Sequence, residues 1–303
     1  MLRFHTRFTE KKLRGNAGLV HIGRFVKKLK LRTTIDQKVS IVRASNIGYR
    51  VSGAIIMFAM GIIAGAKRIS HLSILQNDYV IRTLFKWDKF PVDTTVSRIF
   101  KLFSHTHCQE LSEVEGHLRK RVWLKKWFGK VTLDMDSTVQ GVFGSQEGAK
   151  KGYNPKKKGQ NSYHPLLCFV AENRECLHSW FRSGDTHSAN GSEEFMKECL
   201  ARLPKRVWKV AVRADSAFFD GKLLDFLESK SCQYLIKVKL KGLESLLSAQ
   251  KWQKIKNRPG FEGTEFLYRC SGWNRARRFV AVREVKVTPS EEPLFPIPKV
   301  EYI

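Results

Sequence analysis

Lys130-Val-Thr-Leu-Asp-Met-Asp-Ser-Thr-Val-Gln140 is the stretch on which the reading of this chain turns. Val131, Leu133 and Met135 alternate with Thr132, Asp134 and Asp136, the period-two pattern of a strand with one apolar face. Two carboxylates on the other face are costly unless positive charge sits against them. A second strand with an acid at its end follows downstream, Val207-Trp-Lys-Val-Ala-Val-Arg-Ala-Asp215. If the two strands are neighbours, Asp136 and Asp215 can share a divalent ion. An all-carboxylate site suits hard, oxygen-preferring ions such as Mg²⁺ or Mn²⁺.

Working outward, the strand over 131–139 is followed by a glycine-rich basic segment, 141–160. Leu166 to Ala171 and Leu177 to Arg182 read as two strands with a turn at Asn173. A helix is expected over Ser192 to Leu203, stopped by Pro204. Then come the strand 207–214, a helix over 220–229 and a strand from Gln233 to Lys239. Three strands, a helix, a strand, a helix and a strand describe an α/β sheet whose later strands connect through helices. Phe261 to Thr288 reads as further β segments. The expected division is a helical domain over 1–128, a core over 129–240 and a β-rich insertion over 241–303.

Upstream, residues 1–50 carry 13 Lys/Arg and two acids, Glu10 and Asp36. Arg24 to Arg32 places Phe25 and Leu29 on one helical face, as in a helix of a small DNA-binding bundle. Val51 to Ala66 is uncharged for 16 residues, short of the roughly 18–20 that a membrane span needs, and reads as a buried central helix. Asp93-Thr94-Thr95 offers an N-cap for a short helix over Val96 to Phe103, and an amphipathic stretch from Glu110 to Trp127 leads into the central strand.

Charge sets the class of partner. Lys and Arg total 55 against 28 Asp and Glu, a net charge of +27 and a pI near 10.0. A surplus spread over the whole length favours a polyanion, nucleic acid above all. Six cysteines stand singly with no C-x-x-C pair, which argues against a zinc module or a disulfide framework and for a reducing interior. No apolar run follows Arg3, His5 and Arg7, so no signal peptide is expected.

An acid on the first strand and another after the fourth are what a ribonuclease-H-like core requires. Here the chain resembles insertion-sequence transposases of the DDE type, in the group 1 branch of the transposase DDE domain. The matching residues are Leu133-Asp-Met-Asp-Ser-Thr138, Gln146-Glu-Gly-Ala149 with Gly152-Tyr-Asn-Pro155, Ser162-Tyr-His-Pro-Leu-Leu167, Arg182-Ser-Gly-Asp185, Asn190-Gly191 and Arg213-Ala-Asp-Ser-Ala-Phe218. A weaker likeness runs through Gly18-Leu19, Phe90-Pro91 and Thr95-Val-Ser-Arg98.

The resemblance implies an α/β, ribonuclease-H-like catalytic core with a β-rich insertion, preceded by an all-α DNA-binding domain. It implies that Asp136 is the first catalytic, metal-holding carboxylate and Asp215 the second, with two Mg²⁺ or Mn²⁺ ions in a complete site. Asp134 is the weaker claimant, a supporting carboxylate with direct ligation as the alternative. Lys150, Lys151, Tyr153, Lys156, Lys157 and Lys158, together with Arg213, are expected to contact DNA. Trp273 with Arg275, Arg277 and Arg278 could stack on and clamp an unpaired base. His164 and His178 read as packed or hydrogen-bonded histidines.

The resemblance further implies hydrolysis and strand transfer at an element's terminal inverted repeats, with double-stranded DNA, both repeat and target, as partner. Self-association on DNA, no membrane, and a bacterial cytoplasmic setting complete the expectation. The family's third acid, a glutamate on a later helix, finds no matching motif. Glu301 lies in a β context and Glu228 is a fallback. Two readings follow: a transposase, or a C-terminally shortened remnant that binds element ends without cutting.

Overall fold

In the computed structural model the described residues are 17–42, 48–87, 90–124, 128–154, 157–287 and 298–302. The chain divides into two compact units, Met1–Trp127 and Phe128–Ile303.

Every regular element described in the first unit is helical: α1 (Leu19–Lys28), α2 (Leu31–Lys38), α3 (Val51–Ile63), α4 (Ser73–Gln76), α5 (Tyr79–Phe85), α6 (Asp93–Phe100) and α7 (His105–Trp123). The expected helix over 24–32 is instead the end of α1, a break, and the start of α2. Lys30 adopts a left-handed conformation there (φ 55°), which a continuous helix does not accommodate. Helix α6 starts at Asp93, earlier than expected, and Asp93 Oδ1 accepts the Thr94 N–H within its first turn.

The uncharged stretch forms α3, whose Ile56, Met57 and Met60 enter a core with Leu19, Val20, Ile35, Leu75, Ile81, Phe85 and Val114. Its last turn leaves Ile62 and Ile63 exposed, so the helix is buried along one side and not all round. Among the described residues no helix is long and apolar enough to cross a membrane. Two ends are fixed by short polar side chains: Asp78 accepts from the Ile81 N–H at α5, and Ser104 with His107 forms a capping box at α7.

The second unit is built on β1 (Lys130–Ser137). Its successors are β2 (Gln140–Gly141), β3 (Lys150–Lys151), β4 (Asn161–Tyr163), β5 (Leu166–Val170), β6 (Glu175–Trp180), α8 (Ser192–Arg202), β7 (Lys209–Ala214), α9 (Gly221–Ser229) and β8 (Gln233–Ile236). The main sheet has the order β6-β5-β1-β7-β8. Strand β1 lies at its centre, antiparallel to β5 and parallel to β7, and β8 extends the parallel half. Alternation decides which face is covered. Val131, Leu133, Met135, Leu166, Cys168, Val170 and Val212 are buried, as are Phe195, Met196 and Cys199 of α8 and Leu223, Leu224 and Leu227 of α9. The opposite face keeps Asp134, Asp136 and Arg213 accessible to solvent.

Strands β2, β4 and β3 form a small sheet in that order directly after β1. Beyond β8 come α10 (Leu243–Ser248), β9 (Gln253–Lys254), β10 (Phe261–Tyr268), β11 (Arg277–Val287) and β12 (Pro298–Tyr302). These strands pair antiparallel in the order β12-β11-β10-β9, a second sheet separate from the first.

Candidate active site

The pairing of β1 with β7 runs from Lys130↔Lys209 to Met135↔Ala214. Asp136 and Asp215 are therefore the next residues on two adjacent parallel strands. Both are exposed, and each is steadied by a backbone N–H. Asp136 Oδ1 accepts from Ser137 at 2.8 Å. Asp215 Oδ1 accepts from Ala217 at 3.0 Å, capping a single 3₁₀ turn over Ser216–Phe218. Each carboxylate keeps oxygen lone pairs for another partner.

Asp134 differs, although it lies only two residues from Asp136 on the same face. Arg213, its register partner on β7, donates Nε at 2.6 Å and Nη2 at 2.7 Å to its two oxygens. This bidentate bond supplies countercharge to one of the two acids on the face. The same hydrogen bond, with the charge of Asp134, raises the Arg213 pKa above its ordinary value. Arg213, expected among the DNA-contacting residues, is thus half-exposed with its fork engaged by Asp134.

A cleft of about 550 Å³ opens on this face, walled by Asp134, Asp136, Leu167, Phe169, Arg174 and Arg213 among others. Asp215 stands outside its lining. Among the described residues no three His, Cys, Asp or Glu side chains converge to hold a metal ion.

Around the end of β1 the sequence motifs interlock. An added Cβ on Gly152 would lie 1.7 Å from the Gly184 carbonyl oxygen. One on Gly184 would lie 2.4 Å from the carbonyl oxygens of both Lys150 and Ser162. Backbone meets backbone here, so neither position has room for a side chain. Lys150 Nζ reaches Asp185 at 3.1 Å, and Ser183 donates to the same carboxylate. The Ser183 hydrogen bond and the lysine hold the Asp185 pKa below its usual range.

The other described lysines of the basic segment, Lys151, Lys157 and Lys158, face outward. Lys151 and Lys158 have no acidic partner among the described residues, and Lys157 lies over the Phe143 ring at 5.2 Å. Tyr153 is 76 % exposed. Lys156 falls outside the described residues.

The insertion's cationic residues are placed differently from expectation. Arg277 is buried, its side chain 4 % exposed, and it bonds Asp225 (2.5 Å) and Glu228 (2.9 Å) of α9. Trp273 stacks on it, with the guanidinium 4.3 Å from the ring centroid. Arg275 pairs with Glu228, and Arg278 forks onto Glu265 across the β10–β11 pair. Arg277, expected among the base-clamping residues, has its guanidinium buried against Asp225, Glu228 and Trp273. A guanidinium buried on two carboxylates and an indole is a fastening between insertion and core, because releasing it would strand charge inside.

Glu228 is committed to the same cluster. Burial pushes its pKa up, but hydrogen bonds from Arg277 and Tyr234 and the nearby guanidinium charges outweigh that and leave it lowered. Burial and the bond to Glu228 push the Tyr234 phenol up to about 12. Both Glu228 oxygens are thus engaged, one by Tyr234 and Arg277 and the other by Arg275 and Arg277. Glu301 is paired by backbone register with Glu284 on the insertion's edge, and its side chain lies outside the described residues.

His178 on β6 and His164, between β4 and β5, are both buried and hydrogen-bonded. His178 Nε2 meets Glu198 of α8 at 2.6 Å and the ring stacks on Phe195. His164 contacts Thr186 and Ser188. The sequence pattern did not reveal the second contact, since Ser188 lies in a loop 24 residues away.

A family model described as transposase DDE domain group 1 matches residues 3–295, and the chain belongs to that family. No curated protein sequence matches it. Among solved structures, a piggyBac transposase synaptic complex with hairpin DNA is similar over 92 % of this chain and 60 % of its own, at 12 % identity and a TM-score of 0.42. A Mos1 transposase paired-end complex with the left transposon end aligns over 68 % of this chain and 72 % of its own, at 9 % identity and a TM-score of 0.26. This chain spans about three fifths of the length of the piggyBac chain.

Proposed function

We propose that this chain is a metal-dependent DNA transposase with a ribonuclease-H-like core, in which Asp136 and Asp215 are the catalytic carboxylates. One observation carries the reading: the two acids follow directly on the last register pair of two adjacent parallel strands, solvent-exposed, whereas Asp134 beside them is neutralised by Arg213. The strand order, three antiparallel strands continued by two parallel ones, supports the same core.

The donor set fits a hard cation. Both acids present carboxylate oxygens with unused lone pairs, and neither has an arginine fork across it. Asp136 and Asp215 would hold Mg²⁺ or Mn²⁺, which when bound supplies Lewis-acid stabilisation of charge on phosphodiester oxygens. The side chains do the rest by position. Lys151, Lys157 and Lys158 present unneutralised charge to a phosphate backbone, and Tyr153 offers an exposed ring beside them. Arg213, held by Asp134, keeps a fixed guanidinium edge at the cleft. The substrate is double-stranded DNA, at the terminal inverted repeats of a bacterial insertion sequence and at its target, engaged by more than one copy of the chain in the cytoplasm.

A second reading, a protein that grips the ends without cutting, draws on the engagement of Glu228, the fallback acid, by Arg275 and Arg277. A plasmid carrying this gene with its native flanking DNA separates the two. The transposase reading expects Mg²⁺- or Mn²⁺-dependent nicking near the gene's borders, lost in Asp136→Ala and in Asp215→Ala with DNA binding retained. Border-specific binding with no nicking in either metal would establish the second reading.

A further inference from the structure

Beside the two acids, a line of polar side chains leads from the end of β1 into the buried interior. Ser137 Oγ donates to Ser188 Oγ at 3.0 Å, and Ser188 Oγ lies 3.3 Å from His164 Nε2. On the other side of the ring, Nδ1 is 2.7 Å from the Thr186 carbonyl oxygen. A carbonyl only accepts, so Nδ1 carries the proton, and in the neutral ring Nε2 is left as an acceptor. Direction then propagates along the line: Ser188 donates to His164, and Ser137 donates to Ser188. Both hydroxyl protons are used, and both rotors are fixed.

The frame around this line is fixed as well. His164 is buried, its N–H donates to the Arg182 carbonyl at 2.9 Å, and Arg182 Nε returns a bond to the His164 carbonyl at 3.1 Å. Arg182 Nη1 gathers the carbonyls of Ser188 (3.3 Å) and Asn190 (2.8 Å), tying down the loop that carries Ser188. Burial pushes the Arg182 pKa below its ordinary value. At the loop's end Gly191 is left-handed (φ 70°), and a Cβ there would strike the Trp180 ring at 2.9 Å, so the turn into α8 is also closed to other residues.

We propose that His164 and Ser188 are positioning residues for Asp136. They orient Ser137, whose backbone N–H holds Asp136 Oδ1 at 2.8 Å, so that the carboxylate presents one fixed oxygen pattern to its ligand. The proposal accounts for three of the chain's motifs at once, Asp136-Ser-Thr138, Tyr163-His-Pro165 and the Arg182 to Gly191 segment, which local patterning leaves unconnected. It rests on the reading of Asp136 as a metal-holding acid, and it assigns the supporting residues.

The test uses the full chain and Mn²⁺ itself, with free Mn²⁺ followed by electron paramagnetic resonance and the Ser137 amide followed by hydrogen exchange. Ser188→Ala is expected to weaken Mn²⁺ binding about tenfold, the scale on which partners of metal-holding groups act, and to speed exchange at the Ser137 amide. Ser188→Thr, which keeps the hydroxyl, restores both. Wild-type affinity and exchange in Ser188→Ala would overturn the proposal, as would a threonine variant no better than alanine.

If the alanine variant does not fold, ¹⁵N spectra of the wild-type His164 ring decide. A proton on Nδ1 alone supports the line, and a proton on Nε2 overturns it. Mn²⁺ affinity unchanged by Asp136→Ala would sink the metal-site reading instead. In that event the Ser137 exchange rates and the His164 ring still judge the positioning of Asp136.

Discussion

The basic segment 141–160 and the stretch 253–287 of the β-rich insertion look alike in sequence, each mixing cations with aromatic residues. The structure treats them in opposite ways. In the insertion four of the six guanidinium groups are held by carboxylates: Arg277 and Arg275 by Asp225 and Glu228, Arg278 by Glu265, Arg283 by Glu262 at 2.6 Å. In the basic segment, Lys150 is paired with Asp185, whereas Lys151 and Lys158 point to solvent with no acidic partner among the described residues. The difference teaches that a count of cations measures attraction for a polyanion only after internal pairs are subtracted. A charge already matched by a carboxylate releases few counterions when a phosphate arrives.

Arg277→Ala gives the largest expected effect. It leaves Glu228 and Asp225 partly buried without their main cation and removes the guanidinium from under Trp273. We expect a loss of roughly 3 kcal/mol, the scale for breaking a buried pair from one side, measured by urea unfolding, with DNA affinity per folded molecule unchanged. A variant as stable as the wild type but weaker in DNA binding would reverse the assignment and return Arg277 to the DNA.

Replacing Lys151, Lys157 and Lys158 together by Gln is expected to do the converse. Affinity for duplex DNA should fall and the slope of log K against log salt should flatten by up to about 3, since each phosphate that a lysine neutralises adds about 0.9 to it, while the melting temperature holds. Melting that drops with no change of salt slope would make the segment structural.

A smaller effect follows from pH. The Glu228 pKa is lowered in the folded chain, so its contribution is present above the unfolded glutamate range near 4.5 and fades as pH falls through the lowered folded value. Tyr234 is raised from 10.0 to about 12, so its contribution is complete below pH 10 and fades as pH rises through about 12. The fastening between α9 and the insertion should therefore be firmest between those limits. Hydrogen exchange of α9 and β11 amides across about pH 4 to 11 checks this, and protection that peaks outside the window would contradict it. Arg278→Ala marks the small end of the range. Its exposed pair with Glu265 is screened by water, and neither melting nor DNA binding should change measurably.

How much of this was legible beforehand follows from the range of each interaction. Strand alternation is a two-residue property, and Val131, Leu133 and Met135 declare their buried face without reference to anything distant. The order of elements around them, the acids at two strand ends and the excess of positive charge could likewise be read from the chain. Helix boundaries were less legible where a single backbone conformation intervened, as at Lys30 between α1 and α2.

Which acids are free, and which cations, was decided only in three dimensions. Asp134 and Asp136 are equivalent by pattern, yet the β1–β7 register brings Arg213 from 79 positions away onto the first and nothing comparable onto the second among the described residues. Arg277 finds Glu228 across 49 residues, and Ser137 finds Ser188 across 51. Gly152 and Gly184 are two ordinary glycines until their backbones touch. For the three polar contacts the physical reason is common: burial follows from local composition, but neutralisation and hydrogen bonding need a partner at about 3 Å, and only tertiary packing supplies one.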